Sequence, residues 1–146
     1  SLELIAGSGL EVLGHNIETV ERLSPVVRDR RAGYQLSLSV LENVKKINPD
    51  LVTKSSIMAG LGETNNEIEE AMEDLLRARV DILTIGQYLR PTGDQLPVKK
   101  YLDISEFEAL KRKGEDMGFS NVIAGPFVRS SYKAKETYLN TRWERS

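Results

Sequence analysis

A short β-prone apolar run, a polar loop and an amphipathic helix recur along this chain, and that repeat limits its fold more than any other feature. The runs are 11–14, 51–58, 81–86 and 121–124, rich in Val and Ile. Their starts fall about 30 to 40 residues apart, the length of a βα unit in a parallel sheet. Between them, Leu36, Val40, Val44 and Ile47 recur at helical spacing, broadened by Tyr34, Leu38 and Leu41, until Pro49 and Asp50 stop the run. Ile68, Met72, Leu75 and Leu76 form a second stripe, opened by Thr64 and Glu67 in capping-box spacing. Phe107, Leu110 and Met117 form a third, with Ser105 and Glu108 in the same spacing and Gly118 as its stop. The expectation is an α/β fold of about four βα units. Four strands can build an open doubly wound sheet, but no dinucleotide glycine fingerprint follows the first. The pattern also suits part of a (βα) TIM-like barrel, whose open edges another segment must cover.

Composition narrows the chemistry. The 146 residues suit one domain, and 40% hydrophobic with 29% charged residues is the balance of a globular protein. A net charge of -2 supplies no basic field for nucleic acid. No apolar run approaches the ~18 residues of a membrane span, and the expectation is a chain without a signal peptide at its start. There is no cysteine, so disulfides, thiolate nucleophiles and any iron–sulfur cluster held wholly by this chain are excluded. His15 is the single histidine, which excludes a multi-histidine metal site. Ser1 is not an initiator methionine, so the expectation is a processed product or an excised piece.

In parallel βα architectures ligands gather at the carboxyl ends of the strands, and there the unusual residues cluster. His15 and Asn16 follow the first run, Gly60 and Gly62 through Thr64 the second, Gln87, Tyr88 and Arg90 the third, and Gly125, Pro126 and Arg129 to Tyr132 the fourth. His15 reads either as a hydrogen-bonded structural residue or as a base or ligand. Asn16 is either a helix N-cap before 17–23 or a donor and acceptor for a ribose or amino-acid head group. The glycine pair is either a tight turn or a close backbone approach to a ligand, with free amides on the helix that follows. Arg28 is a solvated turn charge or a carboxylate clamp. Residues 89–101, with Pro91, Gly93 and Pro97, cross the surface as a long loop. The stretch 129–146 carries a local charge of +3, either a solvated tail or part of a site. From chemistry alone the reading is a small-ligand site.

Longer stretches carry a resemblance. Gly9-Leu10-Glu11-Val12, His15-Asn16-Ile17-Glu18-Thr19-Val20, Val27-Arg28-Asp29 and Ala32-Gly33-Tyr34 are followed by Thr53-Lys54-Ser55-Ser56-Ile57-Met58-Ala59-Gly60-Leu61-Gly62-Glu63-Thr64. Then come Gly86-Gln87-Tyr88-Leu89-Arg90-Pro91-Thr92 and Gly125-Pro126-Phe127-Val128-Arg129-Ser130-Ser131-Tyr132-Lys133-Ala134. In this order they resemble the C-terminal part of the lipoyl synthase family of radical S-adenosylmethionine enzymes. Biotin synthase, a relative, shares the glycine loop and the His-Asn pair but not the Arg-Ser-Ser-Tyr ending.

The resemblance implies the C-terminal portion, 1–146, of a partial barrel of about six strands, with 126–146 as a tail that closes the site. It implies a sulfurtransferase that inserts two sulfur atoms into an octanoyl chain on a lipoyl carrier domain, of a 2-oxoacid dehydrogenase E2 or a glycine-cleavage H protein. One 4Fe-4S cluster, held by an upstream CxxxCxxC motif, would reduce S-adenosylmethionine to a deoxyadenosyl radical. A second would be consumed as the sulfur source, with Ser131 as its ligand beside three upstream cysteines. A serine oxygen is a harder partner for cluster iron than thiolate, and so a more releasable one. His15, Asn16, Gly60, Gln87 and Tyr88 would border the S-adenosylmethionine, Arg28 would take its carboxylate, and Arg129 would close the site. The common pattern GxIxGxxE is met in part, with Ser56 and Met58 at its first two positions. Without cysteine the chain alone is expected to be inactive and to need the N-terminal part of the same enzyme. The competing expectation is a truncated non-catalytic module that binds the lipoyl carrier or a partner half-barrel. Neither nucleic acid nor membrane is an expected partner. The implied compartment is cytoplasmic, or a mitochondrial or plastid matrix.

Overall fold

A computed structural model describes residues 3–5, 12–27 and 33–128. Its elements are β1 (Glu3–Ile5), β2 (Val12–Gly14), a 3-10 turn (Glu21–Leu23) running into α1 (Ser24–Val27), α2 (Tyr34–Ile47), β3 (Val52–Ala59), α3 (Asn65–Arg77), β4 (Ile82–Gln87), α4 (Ile104–Met117) and β5 (Asn121–Gly125). The four strands read from the sequence are β2 to β5. β1 is additional: it lies antiparallel on β2, pairing Glu3 with Gly14 and Ile5 with Val12, and so covers that edge of the sheet. All other pairs are parallel, and the strand order is β1-β2-β3-β4-β5. A doubly wound sheet needs a reversal of order, and none occurs here. Sequential parallel strands carry α2, α3 and α4 into one core on the same face of the sheet, an arrangement consistent with a partial βα fold.

Alternation along the strands divides the sheet into two unlike faces. Ile57, Leu83, Ile85 and Val122 point toward the helices and pack with Leu41, Ile68, Met72, Leu75, Phe107 and Leu110 in one apolar core. Lys54, Ser56 and Thr84 occupy the opposite face, buried, with Ser56 directly beside Thr84 in register.

The helices depart from their expected faces and caps in two places. In α2 the inward residues are Tyr34, Ser37, Leu41 and Lys45, whereas Leu36 is 54% and Ile47 85% exposed. Partners explain the rotation: Ser37 Oγ lies 3.0 Å from His15 Nε2, and Lys45 Nζ donates to Asp81 Oδ2 at 2.6 Å. In α4 the cap is Asp103 with Glu106, two residues ahead of the expected Ser105–Glu108 pair. The Asp103 carboxylate accepts from Glu106 N and from the Ser105 hydroxyl, and an anion at the first turn also meets the helix dipole. α3 begins as expected, on a Thr64–Glu67 capping box, and Gly118, at φ 128°, ends α4 in a conformation only glycine adopts freely.

Asp81 ties the amino end of the sheet together. Its carboxylate accepts from Lys45 Nζ and Thr53 N, its amide donates to Thr53 O, and its carbonyl accepts from Ser120 N and Asn121 N.

Candidate functional site

A cleft of about 350 Å³ opens at the carboxyl end of the sheet, within the size range of small-molecule sites. Asn16 and Glu18 follow β2, Ser56, Ile57 and Met58 end β3, Gly86 and Gln87 end β4, and Leu89, Arg90, Pro91 and Val128 complete the lining. No helix starts at Asn16: the first helical turn follows Val20, so this side chain is not an N-cap. Its Oδ1 is buried with no hydrogen-bond partner among the described residues, an acceptor whose burial is offset only when something donates to it. Glu18 holds φ at 72°, the left-handed region uncommon for a residue with a Cβ. It stays there because its backbone is fixed on both sides: its N–H donates to Ser56 O at 3.1 Å, and its carbonyl accepts from Met58 N at 2.8 Å. The strain therefore sits at the wall of the cleft, where the β3 end is gripped by the segment that follows β2.

The glycine loop is wired to itself. Both oxygens of Glu63 fold back to accept from Gly60 N (3.2 and 3.0 Å), and one also accepts from Leu61 N at 3.0 Å. The capping box takes the amides of Thr64 and Glu67. Arg22 then clamps the loop from outside: its Nε and Nη2 donate to the Glu67 carboxylate at 2.7 and 3.1 Å, and Nη2 also donates to Gly62 O at 3.0 Å. That guanidinium, with the Thr64 amide, holds the Glu67 carboxyl down to about 2, and Glu67 in turn raises Arg22. The amides of Gly60, Leu61 and Thr64 thus already meet a carboxylate supplied by the chain, and that of Glu67 a hydroxyl.

The positions singled out in the sequence separate into distinct environments. Asn16 and Gln87 line the cleft. His15 is buried between β2 and α2, where its Nε2 meets Ser37. Gly60 faces residues 99–100, accepting from Lys99 N at 2.8 Å. Tyr88 is buried, and its hydroxyl donates to Leu96 O at 2.6 Å across the loop that follows β4. Arg28, Arg129 and Ser131 lie outside the described residues. The described chain ends on Val128, whose carbonyl stands 2.7 Å from where a Cβ on Gly86 would lie; only glycine admits that approach. Glu18, Ile57, Gly86 and Val128 escaped the sequence reading of the site, which reached Ser56 and Met58 through the partial GxIxGxxE pattern and Leu89 and Pro91 through the loop 89–101. The one signal for Glu18 was its place two residues beyond Asn16. Among the described residues no group of three or more His, Cys, Asp or Glu is placed to hold a metal ion.

No family model matches the chain. Curated proteins do. The chain is 57% identical over 134 residues to the lipoyl synthase of Halorhodospira halophila, covering 92% of this chain and 40% of that protein. It is 55% identical to the lipoyl synthase of Methanocella arvoryzae, covering 95% of this chain and 47% of that protein. With the mitochondrial lipoyl synthase of Branchiostoma floridae the identity is 56%, over 92% of this chain and 36% of that protein. The chain therefore spans less than half the length of these relatives.

Proposed function

This chain belongs to the lipoyl synthase family, and from that premise we infer that it forms the C-terminal portion of a partial radical S-adenosylmethionine barrel and shapes the cleft for that ligand. The whole enzyme would insert two sulfur atoms into an octanoyl chain borne by a lipoyl carrier domain, an E2 or H-protein substrate. The single observation that carries this reading is the cleft at the strand ends with the orphaned Asn16 Oδ1 in its lining.

The lining suits S-adenosylmethionine. Asn16 Oδ1 would accept from a hydroxyl or ammonium, and Glu18 would add a carboxylate for hydroxyls or the cationic centre. Arg90, at the mouth, offers a guanidinium to a carboxylate. Met58 and Leu89 supply apolar surface that excludes water. When bound, S-adenosylmethionine supplies the reagent that removes hydrogen from unactivated carbons. Arg28 would take its carboxylate and Arg129 would close the site.

The described residues do not fit an iron–sulfur cluster, since the chain has no cysteine and no metal-holding group among them. We assign this chain at most a single ligand, Ser131, three residues beyond the Val128 that lines the cleft. The chain by itself is accordingly inactive in sulfur insertion.

Titration of S-adenosylmethionine into the native-length protein tests the reading. Asn16→Ala and Glu18→Gln should each raise Kd about tenfold, the loss of roughly 1.4 kcal/mol. A wild-type protein that binds nothing, or two variants that bind as wild type does, would overturn it.

A further inference from the structure

We propose that Gln87 is a positioning residue: its buried amide latches residues 88–102 into a strap that begins with one wall of the cleft, so ligand affinity is set through a side chain that donates nothing to the ligand. The proposal rests on S-adenosylmethionine being that ligand.

Gln87 is 6% exposed, and both hydrogens of its amide are engaged within the chain. Nε2 donates to Tyr88 O at 3.0 Å and to Lys100 O at 2.9 Å, while Oε1 accepts from Leu102 N at 3.0 Å. One side chain therefore joins the first residue of the strap to two residues at its far end. The glycine loop completes the latch, because Gly60 O accepts from Lys99 N at 2.8 Å and from Lys100 N at 3.3 Å. A Cβ on Gly60 would stand 2.4 Å from Lys100 O and 2.5 Å from Gln87 Nε2, so glycine is required for the strap to seat. Tyr88 N donates to Ala59 O at 2.8 Å, and Arg90 braces the turn through the carbonyls of Gly93 and Gln95.

Leu89, Arg90 and Pro91, the wall itself, follow directly on Tyr88. Their position follows from the closure of the strap, and Leu89 is 46% exposed. Losing the latch would take the side-chain partner from three backbone groups at once and let the wall move with the strap.

The test is hydrogen exchange and S-adenosylmethionine affinity on the native-length protein. Gln87→Glu keeps the acceptor for Leu102 N but sets oxygen against the carbonyls of Tyr88 and Lys100. Gln87→Met, of similar length without donors, serves if the charged variant does not fold. The expected result is at least tenfold faster exchange at the amides of Lys99, Lys100 and Leu102, with at least a tenfold rise in Kd. Leu41→Val, which lowers Tm from the core beneath α2, should keep Kd within twofold when measured below its melt. Strap amides that stay protected, full affinity despite exposed amides, or a Kd that follows Tm in every variant would each overturn the role given to Gln87. A wild-type protein that binds no S-adenosylmethionine overturns it together with the reading it rests on. That outcome is told apart because wild type alone shows it.

Discussion

At the level of single residues, two side chains make opposite statements about charge and burial. Glu67 is partly exposed yet strongly held: the Arg22 fork and the Thr64 amide keep its carboxyl near 2, against the ordinary 4.5. A depressed folded-state value means the carboxylate stabilises the fold above about pH 4.5, and that contribution is lost as pH falls toward 2. In Glu67→Gln, which keeps the capping acceptor without the charge, stability should therefore change less between pH 4.5 and 2 than in wild type, as urea unfolding at several pH values would show. Thr84 is the converse, a fully buried hydroxyl with no hydrogen-bond partner among the described residues. Thr84→Val should raise stability by about 1 kcal/mol; a loss of stability would mean that the hydroxyl is satisfied in solution. The sequence announced the Thr64–Glu67 box, because its residue types and spacing are themselves the interaction. It gave no sign that Glu63 fills the amides of its own loop, or that Glu18 sits at positive φ, since neither depends on a pattern of residue types.

Among the elements, α2 is the most instructive. Apolar periodicity favoured a face through Leu36 and Ile47, but the helix turns Leu41 inward together with Ser37 and Lys45, whose polar ends find His15 and Asp81. Leu41→Ala should cost about 3 kcal/mol. Leu36→Ala should change stability by no more than about 0.5 kcal/mol. Chemical denaturation of the two variants would settle the face, and the reverse ranking would restore the apolar-stripe reading. Periodicity counts hydrophobes and cannot count partners supplied by distant strands. The same reasoning explains α4, where two acid-containing pairs share the capping spacing and Asp103 prevails by bonding both Ser105 and Glu106. β1 was illegible for a simpler reason: three residues are too few to show a period.

Across the whole molecule, the sheet keeps its structural and its functional ends apart. Asp81 joins α2, β3, β4 and the start of β5 at the amino end, while the cleft opens at the carboxyl end. Asp81→Ala strands a buried Lys45 ammonium and a backbone amide, and should cost about 3 kcal/mol. Its ligand Kd should nevertheless stay at the wild-type value; a parallel loss of affinity in calorimetry would show the two ends to be coupled. The number and type of the βα units were readable because each carries its own periodicity. Their winding was not, since strand order is decided by tertiary packing, and only the unbroken sequence of parallel pairs shows it. One local feature also bears on what the glycine loop can hold. A phosphate-binding loop offers free amide hydrogens, whereas here the Glu63 carboxylate already occupies those of Gly60 and Leu61. A phosphate brought to those two amides would meet a like charge in their place, so this loop is built as a self-closed turn.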